Sequence, residues 1–303
     1  MTKRRIYLFE YIIIAYLVIL TALIFIFGRP LSQYFDELVA NLIFATIVFA
    51  SILLLHNTDR NLVRFFRLLY PAALFTFFYR QTGGLMFLIF PDFFDAQLTA
   101  FELSLFGVHP TFWIEHNVLN VWVTEILSLT YAAYYPMIPI YLFAIYFKRN
   151  YDIVKKSLAA ICLTFFTGYL LFMLYPIEGP RYFFAGQYQY DITGPVFRQF
   201  VEFVQRTGSV HGGCMPSTHV AVAVVMNIFC LKYYRKAGII LLVINTGMAL
   251  GTFYGRYHYV SDVVVGGLLG VCMTLLVMKF HDRFVPAKSI TEEQSTEKIK
   301  SVS

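Results

Sequence analysis

The chain has 303 residues, of which 58% are hydrophobic and only 14% are charged, and its formal net charge is +6. Soluble domains carry about 25% charged residues, so this composition excludes an ordinary soluble protein and indicates an integral membrane protein. The basic residues lie between apolar runs and form no stripe interleaved with stacking aromatic residues, which argues against nucleic acid as a partner.

Apolar runs recur along the chain, and each is long enough to cross the roughly 30 Å hydrocarbon core of a bilayer as a helix. They predict an all-α, polytopic membrane helix bundle of about eight spans. The first run follows a basic N-terminus and is longer than the apolar part of a signal peptide, so we interpret it as a retained span. The predicted spans are 6–27, 38–56, 66–90, 121–147, 157–175, 217–234, 238–254 and 262–280.

The third predicted span is the least regular, because Arg80 and the pair Gly83-Gly84 interrupt it. The interruption predicts either a break in the helix or a return toward the surface. A charge near the middle of a span is unfavourable without a partner. We therefore expect Arg80 either to pair with Glu125 of the next span or to contact substrate.

The Lys and Arg residues set the orientation. Eighteen of the 24, including every lysine, fall on the side of the predicted bundle that holds the N-terminus. The positive-inside rule makes that side cytoplasmic, and the number of spans then places both termini there. We divide the chain into a membrane-embedded domain, 1–284, and a cytoplasmic tail, 285–303, whose polar and charged composition is typical of disordered segments.

Two long segments then face away from the cytoplasm, at 91–120 and 176–216. The first is aromatic and of mixed polarity, as expected of a chain that lies at the level of the lipid headgroups. In the second, Pro195 at a first helical position predicts a short amphipathic helix over 195–207. That helix either covers a lipid-facing site or anchors the chain in the interface.

Unusual polar residues concentrate in three of the outward-facing stretches, 176–182, 212–219 and 254–262. His219 and His258 are 39 residues apart, and two crossings of the bilayer need about 40 residues. One helix therefore descends, the next returns, and both histidines are expected at the same face. No apolar run between the first two stretches is long enough to cross, so all three stretches share that face.

Each stretch also contains residues that suit a specific chemical role. Ser217 follows a proline at the start of a helix, where unpaired backbone N–H groups favour an anion, and its hydroxyl either caps the helix or contacts that anion. His258 and Asp262 are four residues apart, so on a helix the carboxylate can orient the ring and stabilise an imidazolium. With a second histidine and the fork of Arg181, this set suits nucleophilic attack on phosphorus.

At these residues the chain resembles the type-2 phosphatidic acid phosphatase superfamily, particularly its inositolphosphotransferase-like branch. The superfamily pattern is Lys-x6-Arg-Pro, Pro-Ser-Gly-His and Ser-Arg-x5-His-x3-Asp; this chain has Pro216-Ser-Thr-His219 and His258-x3-Asp262. The resemblance covers about 176–280 and implies a six-helix phosphatase-type core, with the motifs within about 157–280. It implies a nucleophile, His258, its partner, Asp262, a general acid and later base, His219, and phosphate-binding residues, Arg181, Ser217 and Thr218.

The chain also departs from that pattern. Leu174 stands where the first-motif lysine would fall, Tyr182 replaces the proline, and Gly251-Thr252 replaces Ser-Arg. The departures reduce the positive charge available for phosphate and leave the substrate class open. Arg256, two residues before His258, either replaces the lost charge as a phosphate-binding residue or marks the membrane interface.

We therefore expect a multi-pass protein of the cell membrane or an endomembrane that hydrolyses a lipid phosphate ester at the non-cytoplasmic face, without a cofactor. The first alternative is a lipid phosphotransferase that moves a phospho-headgroup to a lipid hydroxyl. A transporter is a weaker alternative, because the motifs lie at one face and not at the midplane. A metal site at His219, His258 and Asp262 would need further compact ligands, and no cysteine cluster or H-x-x-x-H motif offers them.

Overall fold

The computed structural model describes residues 6–55 and 60–281. The basic residues at 3–5 and the predicted tail at 285–303 lie outside the described residues. Within the described ranges the chain forms helices and loops and no strand, which confirms the predicted all-α bundle. After the first helix comes a short 3-10 turn, Leu31–Tyr34. The helices are α1 Leu8–Phe27, α2 Phe35–Leu54, α3 Asn61–Leu85, α4 Asp95–Phe106, α5 Pro110–Asn117, α6 Val121–Ala132, α7 Tyr134–Phe147, α8 Tyr151–Leu174, α9 Pro180–Phe183, α10 Phe197–Gly208, α11 Thr218–Tyr233, α12 Arg235–Tyr254 and α13 Val260–Phe280.

Seven helical segments of the described chain are long and apolar enough to cross a membrane, and α11, with 16 residues, is a shorter apolar helix. These eight segments coincide with the eight predicted spans. The third does not break at Gly83-Gly84 but continues through both glycines and ends at Leu85. The fourth is divided at Ala133 into α6 and α7, and Pro136, which has no N–H to donate, lies in the first turn of α7.

The centre of the bundle is α8. Its most apolar stretch is 72% buried, against 22–39% for the other six long segments. The helix packs against α1, α3, α11 and α13, so lipid has little access to it. The candidate site lies at the end of this helix, where the loops that follow α8, precede α11 and join α12 to α13 meet.

Close packing of α13 on α11 depends on two glycines. A methyl group built on Gly266 would lie 2.4 Å from the carbonyl oxygen of Ser217, and one on Gly270 would lie 2.2 Å from that of Ala221. Small residues allow helix backbones to approach this closely in membranes. The approach sets the start of α11 beside the start of α13, where the N–H of Ser217 donates to the carbonyl oxygen of Asp262 at 3.0 Å.

Replacing Gly266 with alanine should therefore push α13 away from α11 and separate the two motifs. We expect a lower thermal midpoint, in line with the roughly 1–3 kcal/mol of overpacked cores, together with loss of turnover. Gly267→Ala is the matched control, because a methyl group there meets nothing within 4 Å. Thermal unfolding and turnover of the two purified variants are the measurements. Equal behaviour of the two would contradict this account of the helix contact.

The two segments that the sequence predicts to face outward form short helices, α4 and α5 in 91–120 and α9 and α10 in 176–216. The amphipathic helix is present, but it begins at Phe197, after Pro195 and not with it. The expected pair between Arg80 and Glu125 is not formed. The Glu125 carboxylate instead accepts the first N–H groups of α10, including that of Phe197 at 2.8 Å, and Arg80 donates to the carbonyl oxygen of Thr207 near the other end of that helix.

Candidate active site

The three polar stretches meet through their loop backbones. A single β-bridge joins Ile177 to Gly213, with the N–H of Cys214 donating to the carbonyl oxygen of Ile177 at 3.3 Å. Gly179, at φ 100°, allows the first loop to lie against the second, since a methyl group there would lie 2.6 Å from the sulfur of Cys214. The Cys214 thiol also lies 3.5 Å from the carbonyl oxygen of Tyr257, in the third stretch.

This meeting brings the two histidines face to edge. The ring centroids of His219, in the first turn of α11, and His258, in the turn before α13, are 6.0 Å apart at an angle of 65°. His258 is buried, at 5% exposure. Two tyrosine rings enclose His219, with centroids at 5.9 Å for Tyr131 and 4.9 Å for Tyr134. The pair therefore lies in a recess walled by aromatic rings.

Asp262 holds His258 from the first turn of α13. One carboxylate oxygen lies 3.4 Å from Nδ1 of the ring, and the same oxygen accepts the N–H of Tyr259 at 2.9 Å. The side chain of Asp262 is fully buried. A separation of 3.4 Å is long for a hydrogen bond, and it suits an ion pair that forms as the ring becomes positive. With Nδ1 directed at Asp262, Nε2 is the nitrogen left for chemistry.

Ser217 occupies the N-cap position of α11, yet its side chain makes no capping hydrogen bond. The hydroxyl is fully buried, and it has no hydrogen-bond partner among the residues that the structure describes. Buried hydroxyls are normally satisfied, so the capping alternative does not account for this one. Thr218 is also buried, but its methyl group packs against Gly168 of α8. Phosphate binding by either residue stays a prediction.

Arg181 lies in the short helix α9, and its guanidinium forms a fork on the carboxylate of Glu202 in α10, at 2.6 and 3.3 Å. The same carboxylate receives Arg198 at 2.8 Å and the hydroxyl of Tyr257 at 2.9 Å. We did not predict Arg198, Glu202 or Tyr257 as site residues. The i, i+4 spacing of Arg198 and Glu202 on the polar face of the amphipathic helix was a signal that could have pointed to the first two.

Arg256 does not face that cluster. It has a left-handed backbone, at φ 65°, and its guanidinium lies 3.5 Å from the ring centroid of Tyr188 and 2.9 Å from the Glu115 carboxylate. The side chain of Glu115 is buried, and that of Arg256 is only 11% exposed. The ion pair thus connects the turn before His258 to α5. Its predicted contact with phosphate stays untested.

Two buried carboxylates of α4 accept hydrogen bonds from the loops of the site, and the sequence analysis did not predict either of them. Asp95 accepts the N–H groups of Glu178 and Gly179, at 2.7 and 2.9 Å, and the hydroxyl of Tyr259 at 2.8 Å. Glu102 accepts both the N–H and the hydroxyl of Ser261, at 2.7 and 2.8 Å. One helix thus holds the loop before Arg181 and the start of α13.

Comparison with known families agrees with this arrangement. The family model described as the PAP2 superfamily matches residues 96–277, which is more than half of the chain. The chain belongs to the PAP2 superfamily. Members of the PAP2 superfamily are generally phosphatases or phosphotransferases, so a phosphatase-type activity in a multi-pass membrane protein follows. No curated protein and no solved structure matches the chain.

The PAP2 range also contains one group of side chains with the spacing of metal ligands. Atoms of Cys214, His258 and Asp262 lie within 4.8 Å of one another. This set differs from the metal alternative considered above, because Cys214 takes the place of His219. Zinc accepts sulfur, nitrogen and oxygen ligands, so the donor set is chemically suitable. A chelator experiment is therefore part of the functional test below.

The role of α4 in this PAP2 protein gives a direct prediction. Asp95→Asn leaves one acceptor oxygen for three donors and turns an NH₂ group toward them, so buried donors lose partners at about 1–3 kcal/mol each. We expect kcat/KM to fall by tenfold or more and the thermal midpoint to fall as well. Asp92→Asn is the control, since Asp92 is an exposed carboxylate of the same segment. Unchanged kinetics in Asp95→Asn would show that the loop does not depend on this carboxylate.

Proposed function

We propose that the protein hydrolyses a phosphate ester of a membrane lipid at the non-cytoplasmic face, through a phosphohistidine on His258. The observation that supports this most is the geometry of three side chains. Asp262 lies against Nδ1 of His258, and His219 lies across a 6.0 Å gap between ring centroids. A nucleophile with an oriented partner, facing a separate acid, is what a two-step phosphoryl transfer needs.

In the first step, Nε2 of His258 attacks phosphorus while the bond to the leaving oxygen breaks. His219, as an imidazolium, donates its proton to that oxygen, and Asp262 stabilises the positive ring of the phosphohistidine. The negative phosphate itself favours the imidazolium form of His219 when it binds. In the second step, neutral His219 takes a proton from water, the water oxygen attacks phosphorus, and the bond between phosphorus and nitrogen breaks.

The shape of the site supports a lipid as substrate. A crevice that reaches His258 is lined by Glu102, Pro180 and Phe253, among others. Its lining residues continue into an apolar groove of about 330 Å³ on the outside of the bundle, which includes the exposed Trp113 and Phe106. An acyl chain in that groove would place its phosphate near the crevice that His258 lines. In addition, α11, at about 24 Å, is shorter than the hydrocarbon core, which fits a site recessed into the bilayer.

The proposed side of the membrane depends on the distribution of charge. Every lysine lies on the N-terminal side of the predicted bundle, whereas His219 at the start of α11 and His258 just before α13 lie at the opposite end. By the positive-inside rule the histidines then face the extracellular, periplasmic or lumenal space. Labelling of a single cysteine introduced at the exposed residue Ser209, with a reagent that does not cross membranes, tests this directly.

Phosphotransfer to a lipid hydroxyl is the second candidate, and one observation favours it. The crevice lined by the buried His258 shares lining residues with an apolar groove, and an apolar approach suits a lipid acceptor. The chemistry of the first step is the same in both candidates. Only the second step differs, since the attacking oxygen belongs to a lipid and not to water.

One assay separates the candidates. Purified protein is incubated with a phospholipid labelled in the headgroup phosphate, with and without ceramide or diacylglycerol, and the products are resolved by lipid chromatography. Released water-soluble phosphate in both samples supports hydrolysis, and a new labelled lipid that requires the acceptor supports transfer. The absence of both products, with every phospholipid class tested, would overturn the proposed function.

A parallel sample contains EDTA. Histidine and arginine supply the nucleophile and the charge in the proposed reaction, so turnover should persist. Loss of turnover that zinc or manganese restores would instead favour a metal held by Cys214, His258 and Asp262.

A further inference from the structure

One carboxylate is shared by two arginines beside the histidine pair. Glu202 receives the fork of Arg181, at 2.6 and 3.3 Å, and the guanidinium of Arg198, at 2.8 Å. The side chain of Glu202 is 18% exposed, and those of Arg181 and Arg198 are 29% and 11% exposed. Arg206 follows on the same helix, but it is 75% exposed and lies 4.0 Å away. Two arginines thus make close contact with one internal anion.

The three groups carry full charges. Burial raises the pKa of Glu202, but the positive charges of Arg198 and Arg181 outweigh it and hold that pKa below its ordinary value. Burial lowers the pKa of Arg181, but the neighbouring Glu202 outweighs it and raises the pKa overall. The cluster therefore has two positive charges and one negative charge at neutral pH.

The position of the cluster links it to the nucleophile. Tyr257 immediately precedes His258, and its hydroxyl accepts from Arg198 at 2.7 Å and donates to Glu202 at 2.9 Å. The ring of Tyr257 packs against that of Tyr131, with 5.2 Å between centroids. The ring of Tyr131 in turn packs against that of His219, with 5.9 Å between centroids. The two arginines therefore border the recess that holds both histidines.

A phosphate monoester dianion would neutralise two arginines, and a carboxylate in the same place would repel it. Carboxylates and phosphates use the same forked arginine geometry, so each can replace the other. We propose that Arg198 and Arg181 together form the phosphate-binding site, and that Glu202 occupies this site until the phosphate of the substrate displaces it. This inference rests on the proposed function for the identity of the substrate, and it concerns a residue that the sequence motifs do not include.

The same assignment accounts for the missing charge of the third motif. Thr252 stands in the position of the motif arginine, and Arg256 is held at Glu115 and Tyr188. Arg198 of α10, whose side chain is 11% exposed, is the arginine that joins Arg181 at Glu202. The amphipathic helix α10 would therefore contribute directly to substrate binding.

The test is the binding of inorganic phosphate to the full-length protein in detergent, measured by calorimetry at constant ionic strength. The variants are Arg198→Gln, Arg198→Lys, Glu202→Gln and, as the control of equal charge change on the same helix, Arg206→Gln. We expect Arg198→Gln to weaken binding by about tenfold or more, as for loss of a charge-assisted hydrogen bond. Glu202→Gln removes the competing charge, so binding should tighten by about tenfold. Arg206→Gln should change binding by less than about twofold.

Unchanged binding in both Arg198 variants, or binding that weakens in Glu202→Gln, would overturn the inference. The thermal midpoint of each variant shows that it is folded, and Arg198→Lys keeps the charge if the glutamine variant does not fold. Turnover is measured separately. The expected binding pattern without any phosphate-ester turnover would contradict the proposed function alone, and turnover without that pattern would contradict this inference alone.

Discussion

His258→Ala should abolish the covalent step and reduce turnover by about 10⁴-fold or more, as when other enzymes lose their nucleophile. His258 is 5% exposed and its Nδ1 lies 3.4 Å from Asp262, so the variant loses the one ring that this carboxylate orients toward phosphorus in the proposed reaction. The measurement is steady-state turnover together with phosphoenzyme formation after rapid acid-free quenching. We expect neither to be detectable in the variant.

Asp262→Asn is a milder variant of the same pair of residues. The amide keeps the size of the side chain and can still accept the N–H of Tyr259, but it cannot stabilise a positive ring. Turnover should fall strongly while the protein remains folded.

Full activity in His258→Ala, with a normal thermal midpoint, would show that this histidine is not the nucleophile.

His219→Ala should slow the departure of a poor leaving group by about 10²–10⁴-fold, the usual contribution of a general acid. An alkoxide needs a proton to leave, whereas nitrophenolate needs little. The ratio of rates for an alkyl phosphate and nitrophenyl phosphate should therefore fall steeply in the variant. Kinetics of the two soluble esters with wild type and His219→Ala give this ratio.

Tyr134→Phe is the matched control for that experiment. Its ring contacts His219 at a centroid distance of 4.9 Å, and the substitution keeps the ring while removing the hydroxyl. The ratio of the two esters should stay close to that of wild type. An equal loss for both esters in His219→Ala would show that the residue shapes the recess and does not donate a proton.

The bundle and the meeting of the two histidines were predictable from sequence because both depend on distances along helices. A span needs about 20 residues, so a separation of 39 residues returns His258 to the face of His219. Asp262 also lies beside His258 as predicted, but His258 precedes α13, so the turn at Tyr259 and not a shared helical face brings the two side chains together. These rules are local or depend only on bilayer thickness, and side-chain packing does not alter them.

Contacts between distant loops were not predictable in the same way. Arg80 was expected either to pair with Glu125 within the membrane or to contact substrate, but the Glu125 carboxylate instead accepts N–H groups at the start of α10. Arg256 was expected either to bind phosphate or to mark the membrane interface, and its position in the sequence did not reveal that its guanidinium packs on Tyr188, at 3.5 Å. The carboxylate that pairs with Arg181 belongs to Glu202 of α10, a helix outside the superfamily motifs. No periodicity encodes these contacts, because each depends on how the short outward helices pack.

The most direct test of the mechanism is to identify the phosphorylated residue. Wild-type protein is mixed with a phosphate ester labelled in its phosphorus, quenched without acid during turnover, digested and analysed by mass spectrometry. The account predicts an acid-labile, base-stable phosphoryl group on the peptide that contains His258, absent in His258→Ala and accumulating in His219→Ala with a good leaving group. A phosphoryl group on His219 would contradict it.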